Sequence, residues 1–233
     1  LKDKYDEMKE QFKQYVESRD IKYVDYKVVA SSTDRAALNK EIIGAVNQLK
    51  SGADVAQTVR KASSLINYLG IPVSAKAFPQ DIAARLDSMS VGQISGPTVH
   101  TQDNSINVIK LISKAQMPDS IQYRQIQIGG ANVDQARKAA DSAYVAIKNG
   151  AKFEDIAKKY KQDGQPQWLT SAMYENSGSL EGDNKTYLQA IMHTAVNGIQ
   201  NIAVTSGNVI VQVLAQKGME TKYDAAVIKK TIE

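Results

Sequence analysis

Two histidines, an acid following a short helix, a lone tryptophan and no cysteine bound the chemistry open to this chain. The lack of cysteine excludes a thiolate nucleophile, a thiolate metal site and disulfides, and it suits the periplasm and the cytoplasm equally. His100 and His193 complete no Ser/His/Asp set and read as surface residues. No metal-ligand cluster is present. Gly129-Gly130 lacks the G-x-G-x-x-G or G-K-S/T surroundings of a phosphate loop. No cofactor is therefore expected. Asp163 is the acid on which a polar cleft could be built, against the plainer reading of a solvated loop carboxylate before a glycine. Trp168 could line a peptide groove, against the plainer reading of core packing. Asn184-Lys185-Thr186 has the form of a glycosylation acceptor, a motif short enough to arise by chance.

The elements that would position these residues come in two similar series, 21–114 and 120–217. Each opens on a strand-like stretch, Tyr23 to Val29 and Tyr123 to Ile128. Each continues into an Ala-rich helical pattern that stops at glycine: Leu49-Lys50-Ser51-Gly52-Ala53 answers Ile147-Lys148-Asn149-Gly150-Ala151. A second short helix, a loop and a glycine turn follow, Val91-Gly92-Gln93-Ile94 or Asn197-Gly198-Ile199-Gln200. Each series closes on an apolar strand ending in lysine. A repeat of roughly a hundred residues is the size of an ordinary domain. The expected boundaries are a connector helix over 1–20, a first domain over 21–115, a linker over 116–120 and a second domain over 121–217. A C-terminal extension, 218–233, reads as strand leaving the second domain. Leu1, Tyr5, Met8, Phe12, Tyr15 and Val16 give 1–18 one apolar stripe, to be packed on the first repeat or on sequence outside this chain. Pro118 is expected to interrupt any continuous helix or central strand.

The bulk numbers fit this organisation. The chain has 233 residues, 42% hydrophobic and 23% charged, enough for two compact cores. No apolar run approaches the roughly 18 residues of a membrane span. A first residue other than Met suggests an excised fragment, with any membrane anchor outside it. The net charge of +4 is interspersed, without a basic block or aromatic–basic alternation, so nucleic acid is not an expected partner.

The order of elements resembles the parvulin family of peptidyl-prolyl cis–trans isomerases. The phrases that carry the resemblance are specific. Gly150-Ala151-Lys152-Phe153-Glu154-Asp155-Ile156-Ala157 looks like the family's G-x-x-F-x-x-L-A helix start, and Tyr160-Lys161-Gln162-Asp163 like its Y-S-x-D. Val91-Gly92-Gln93-Ile94-Ser95-Gly96-Pro97 looks like its G-x-I/V-S-x-P. Pro118 to Ile126 resembles the P-D-S-V-x-x-R-H-I that opens a parvulin domain. The pattern is similar to the tandem parvulin region of envelope folding factors of the SurA or PpiD type from the Bacteroidetes. The resemblance implies an α+β fold of two tandem parvulin-like domains, each a four-stranded antiparallel sheet with packed helices. It also implies a periplasmic location and unfolded or extended polypeptide clients as partners.

The same resemblance implies a cleft bracketed by two histidines, which this sequence lacks. The first repeat has Tyr26, about Leu65 and Asn107 at the opening-strand, loop and closing-strand positions; the second has Gln125, Asp163 and Val209. Asp163 alone keeps the family chemistry and is the catalytic candidate. Gln125, Trp168, Met173 and Leu188 are the substrate-binding candidates of the second repeat, and Tyr26, Phe78, Ile82 and Asn107 those of the first. Plain core packing is the competing reading for the apolar ones. Prolyl isomerisation breaks no covalent bond and meets a barrier of about 18–20 kcal/mol from lost amide resonance. A cleft lowers it by gripping the twisted amide. Three functions follow: a folding factor with degenerate clefts that binds extended or proline-containing segments, an active isomerase, or a spacer module of a larger chaperone.

Overall fold

The computed structural model describes residues 1–13, 16–17, 19–26 and 29–232. Two long strands organise them. Strand β3 (Ser105–Ile128) and strand β6 (Gly207–Thr231) run antiparallel, from the pair Ser105 and Thr231 to the pair Ile128 and Asn208. Both carry apolar residues on successive positions, such as Val108-Ile109 and Val227-Ile228, because each is covered on both faces.

Four short strands flank this pair. At one end β1 (Val73–Ser74) adds to β6 and β2 (Ile94–His100) adds to β3. At the other end β4 (Gln167–Thr170) adds to β3 and β5 (Ile199–Val204) adds to β6. The result is one six-stranded sheet with an upper half, containing Ser105–Pro118 and Met219–Thr231, and a lower half, containing Ser120–Ile128 and Gly207–Lys217. This corrects the expectation of two separate four-stranded sheets. The antiparallel α+β character stands.

Helices cover the sheet. In the upper half α2 (Ser32–Lys50) begins with a reciprocal cap, Ser31 Oγ accepting from the Asp34 N–H and Asp34 accepting from the Ser31 N–H. It ends before Gly52, whose φ of +80° suits a residue without a side chain. Ile42 and Leu49 of α2 and Val59 of α3 (Val55–Lys61) pack on Ile106, Val108, Ala226 and Ile228. Ile82 and Leu86 of α4 (Gln80–Leu86) pack on Ile109, Leu111 and Val227. In the lower half α5 (Val133–Lys148) and α6 (Phe153–Lys159) bury Ala140, Ile147, Phe153 and Ile156 against Ile126, Ile128 and Ile210. Helix α8 (Gly182–Met192) buries Leu188, Ile191 and Met192 with Ile121, Val209, Val211 and Val213. Ile71 and Val73 of the upper half join that same cluster, so the two halves share a core.

Four expectations change here. The stretch 218–233 does not leave the second repeat: Met219 to Thr231 continues β6 and pairs with Ser105 to Pro118. It occupies the sheet position expected of 23–29. The reason lies in the sequence: a central strand needs apolar residues on both faces, and 225–228 reads Ala-Ala-Val-Ile, whereas 23–29 places Asp25 and Lys27 on one face. Residues 19–26 form no strand, and Ile21, Tyr23, Val24 and Tyr26 are exposed. Lys27 and Val28, part of the expected strand, lie outside the described residues.

Pro118 sits within a continuous strand, opposite Met219. It is tolerated because the outer edge of β3 is bare there: the partners of β2 end at Lys110 and those of β4 begin at Ser120. The expected helix over 1–18 is a shorter α1 (Lys2–Met8) followed by a 3-10 turn over Lys9–Phe12, with no buried residue in either. Tyr15 and Ser18 lie outside the described residues.

Candidate functional site

In the lower half the sheet and α8 enclose a cavity of about 490 Å³. Gln125 and Gln127 enter it from β3, Asn208 and Val209 from β6, Gln167 from β4, and Asp183 and Tyr187 from α8. The Tyr187 hydroxyl donates a hydrogen bond to the Gln125 side-chain carbonyl. Burial, then the neighbouring Tyr123, pushes the Tyr187 hydroxyl above its ordinary pKa, so it remains a neutral donor at physiological pH. The Tyr123 and Tyr187 rings meet edge to face, with centroids 6.2 Å apart. At the cavity's margin Asp183 Oδ2 accepts from the Thr205 N–H at 2.8 Å, tying α8 to the β5–β6 turn.

Asp163 lies on the other side of Gln125. Both line an open groove with Gln162, Gln165, Pro166 and Gln167. The Asp163 side chain is exposed and accepts from the Gln165 N–H at 3.2 Å. The neighbouring Gln162 clamps the loop to β3, accepting from the Gln127 N–H at 2.8 Å and donating to its carbonyl at 2.7 Å. The fold thus brings Gln125 and Asp163 to one groove, as the sequence suggested. Leu188 lies in the core behind the cavity. Trp168 and Met173 do not line it. Trp168 stands between Gln167, which faces the cavity, and buried Leu169, so strand alternation turns it to the opposite face, where Lys217 Nζ sits 4.9 Å from its ring centre. Met173, on α7 (Ala172–Glu175), is exposed.

The equivalent place in the upper half is filled. Gln125 pairs with Val211, two residues beyond Val209; Val227 pairs with Ile109, two residues beyond Asn107. Val227 thus holds the rung that Gln125 holds below, and it is buried against Ile82. Asn107 is fully buried with both amide atoms hydrogen-bonded: it accepts from Arg85 at 2.7 Å and donates to Asp81 at 3.0 Å. Arg85 also donates to Ser95 at 2.5 Å, and His100 Nε2 lies 3.5 Å from Asp81. Ile82 and Asn107 are therefore interior residues, and His100 is half-buried, correcting its surface reading. Phe78 lies on the wall of a different cavity, at the seam between the halves. Tyr26 is exposed and outside the sheet, and Leu65 turns its side chain to solvent while its N–H donates to the Lys229 carbonyl.

Sequence reasoning missed Tyr187 and Tyr123, the aromatic pair of the cavity. Tyr123 was visible as the opening of the second strand. Tyr187 carried no signal beyond its place on the last helix. His193 is exposed at the end of α8, its Nδ1 2.7 Å from the Gln189 carbonyl. Among the described residues no helix is long and apolar enough to cross a membrane.

Comparison with known proteins agrees with this geometry. Residues 106–217 match the PPIC-type PPIase domain, a span containing every residue named above as lining the lower cavity. The chain is 31% identical over 147 residues to the chaperone SurA of Pseudomonas syringae pv. syringae, covering 58% of this chain and 34% of that protein. It is 34% identical over 127 residues to the chaperone SurA of Pseudomonas fluorescens, covering 50% and 29%. The chain thus spans about a third of the length of these relatives. Among solved structures, PrsA from Bacillus subtilis is 20% identical, covering 43% of this chain and 36% of that one at a TM-score of 0.33. Residues 106–217 thus form a parvulin-type PPIase domain, and the chain is similar to the SurA chaperones over part of their length.

Proposed function

We propose that this chain is the client-handling part of a bacterial envelope folding factor, and that its lower cleft binds extended, proline-containing polypeptide with little or no isomerase activity. The observation that carries this reading is the Gln125–Tyr187 hydrogen bond. Gln125 stands at one of the two positions where the family resemblance implies histidine, and Tyr187, equally neutral, is its hydrogen-bond partner. They can accept and donate to a peptide backbone, and the Tyr123–Tyr187 corner offers an aromatic wall to a proline ring. Val209 offers no polar atom to the other side of the cleft. The upper cleft, closed by Val227 and the Arg85–Asn107–Asp81 network, takes no ligand on this reading. The chaperone relatives support the folding-factor role and a location outside the cytoplasm.

One observation favours a weak isomerase as the second reading. Asp163 shares a groove with Gln125, so a peptide lying across Gln125 would reach its carboxylate. A protease-coupled isomerisation assay on proline tetrapeptides separates the two, with Asp163→Ala as the matched control. Uncatalysed exchange takes tens to hundreds of seconds, so modest catalysis is visible. The binding-only reading expects no acceleration by the wild type. Acceleration lost in Asp163→Ala establishes the second reading.

A further inference from the structure

Charge is distributed unevenly around the lower cleft. Of the residues that line its cavity, Asp183 alone carries a charge. It is half-buried in the first turn of α8, where its Oδ2 accepts from the Thr205 N–H at 2.8 Å. Its Oδ1 has no hydrogen bond among the described residues and, unlike the Oδ1 of Asp224, is not sealed from solvent.

The cations of this half are spent elsewhere. Lys185 is two residues from Asp183, so it projects from a different face of the helix, and its Nζ sits 5.9 Å from the Tyr68 ring centre. Arg124 lies on the opposite face of the sheet, over the Phe153 ring and paired with Glu154. Arg60 is paired with Glu181 at 2.8 Å. The groove that adjoins the cavity holds one charge of each sign, Lys161 and Asp163. The cavity itself is therefore acidic at one end and neutral elsewhere.

The spacing along α8 fits an extended chain. Asp183 and Tyr187 share a face one turn apart, a rise of about 6 Å. Two residues of extended peptide span about 7 Å. A proline ring against the Tyr123–Tyr187 corner thus places the residue two positions away beside Asp183.

We propose that Asp183 sets the specificity of the lower cleft, selecting client segments that carry a lysine or arginine two residues from the proline. The inference rests on the proline-segment binding proposed above and names its substrate class. Its sign is informative, because the chain as a whole carries +4 and its long-range field favours an acidic peptide. A basic preference would have to come from a local acid.

The test uses the whole chain and three fluorescein-labelled peptides, read by anisotropy at low salt. They differ only in the residue two positions to either side of a single proline: lysine, glutamine or glutamate. A partly exposed ion pair changes affinity about threefold per unit of charge, so the lysine peptide is expected to bind about tenfold tighter than the glutamate peptide. Raising sodium chloride to about 500 mM, where the screening length is about 4 Å, is expected to collapse that ratio. Asp183→Asn keeps an acceptor for the Thr205 N–H and removes the charge, and its ratio is expected to fall to one or below. The salt series on the wild type decides the matter if the variant does not fold. Equal binding of the three peptides by the wild type, or tighter binding of the glutamate peptide, overturns the acidic subsite and leaves proline-segment binding intact. A ratio that survives Asp183→Asn but falls in Asp163→Asn moves the cation to the groove and also overturns it. Binding of none of the three overturns the client-binding reading on which the subsite rests.

Discussion

Lys222 is fully buried at the seam of the sheet, and its ammonium lies 3.6 Å from Glu175 Oε1 on α7 of the lower half. The Tyr174 and Ser171 hydroxyls accept from it as well, Tyr174 at 2.6 Å. Glu175 in turn accepts from the Ser74 N–H at 2.6 Å and from the Ser74 hydroxyl at 2.8 Å, in the upper half. One ion pair therefore joins β6, α7 and β1.

Removing Glu175 leaves the buried Lys222 ammonium with Glu220 Oε1, at 3.8 Å, as its one remaining ion-pair partner among the described residues. Glu175→Ala is expected to destabilise the chain by roughly 3–5 kcal/mol, against about 0–1 kcal/mol for Glu7→Ala, which loses only an exposed pair with Lys4. Urea unfolding of both variants checks this. Equal midpoints would show that the seam pair contributes nothing beyond a surface contact.

The terminal segments differ in the same way. Deleting 219–233 removes a central strand whose Ala225, Ala226, Val227 and Ile228 are buried, whereas deleting 1–26 removes residues among which no described one is buried. Hydrogen exchange is expected to show the first truncation stripping protection from β2 and from Ser105–Pro118. The second truncation leaves the amide pattern of 32–232 unchanged. Retained protection of Ile106 to Leu111 without 219–233 would mean that another segment fills the strand position.

How much of this was legible depended on which constraint each residue serves. The helices over 32–50, 133–148 and 153–159 were visible because caps, periodicity and glycine stops are local. The six-stranded sheet was not, because strand partnership is decided by long-range burial: the repeat pointed to 23–29, while the two-sided apolar run at 225–228 holds the place. Gln125 and Asp163 were found from their motif positions and do share a groove. Trp168 was misplaced because composition says nothing of strand parity, and Tyr187 was missed because a tyrosine on a helix has no motif.

Acid should reveal a different contact. Lys229 Nζ lies 2.6 Å from Asp103 Oδ2, and its hydrogen bond, then that of Ser105, lowers the Asp103 pKa from 3.8 to about 2. A depressed carboxylate contributes stability that is complete above the unfolded value and is lost as pH falls through the folded one. The stability difference between wild type and Asp103→Asn is thus expected to be full above pH 3.8 and to vanish between 3.8 and about 2. Unfolding midpoints across that window check it; a difference independent of pH would show that the pair acts by shape alone.

The lower cleft should be repairable. Gln125 and Val209 hold the two positions where the parvulin resemblance implies histidine, and both line the same cavity. The double variant Gln125→His, Val209→His is expected to raise prolyl isomerisation at least about tenfold over the wild type, a barrier change of only about 1.4 kcal/mol. The same pair at Val227 and Asn107 should do nothing, because that site is packed by Ile82 and held by Arg85. A rate unchanged by the lower pair would place the loss of activity elsewhere than in the missing imidazoles.

The central claim, a cleft that holds a proline segment without turning it, is tested most directly by nuclear magnetic resonance on one sample of the chain with a proline peptide. Amide shifts report where the peptide sits, and exchange between its cis and trans signals reports catalysis. The account predicts shifts at Tyr123, Gln125, Asp183, Tyr187 and Val209, together with exchange that stays on the uncatalysed scale of tens to hundreds of seconds. Shifts absent from these residues, or sub-second exchange abolished by Gln125→Ala, would contradict it.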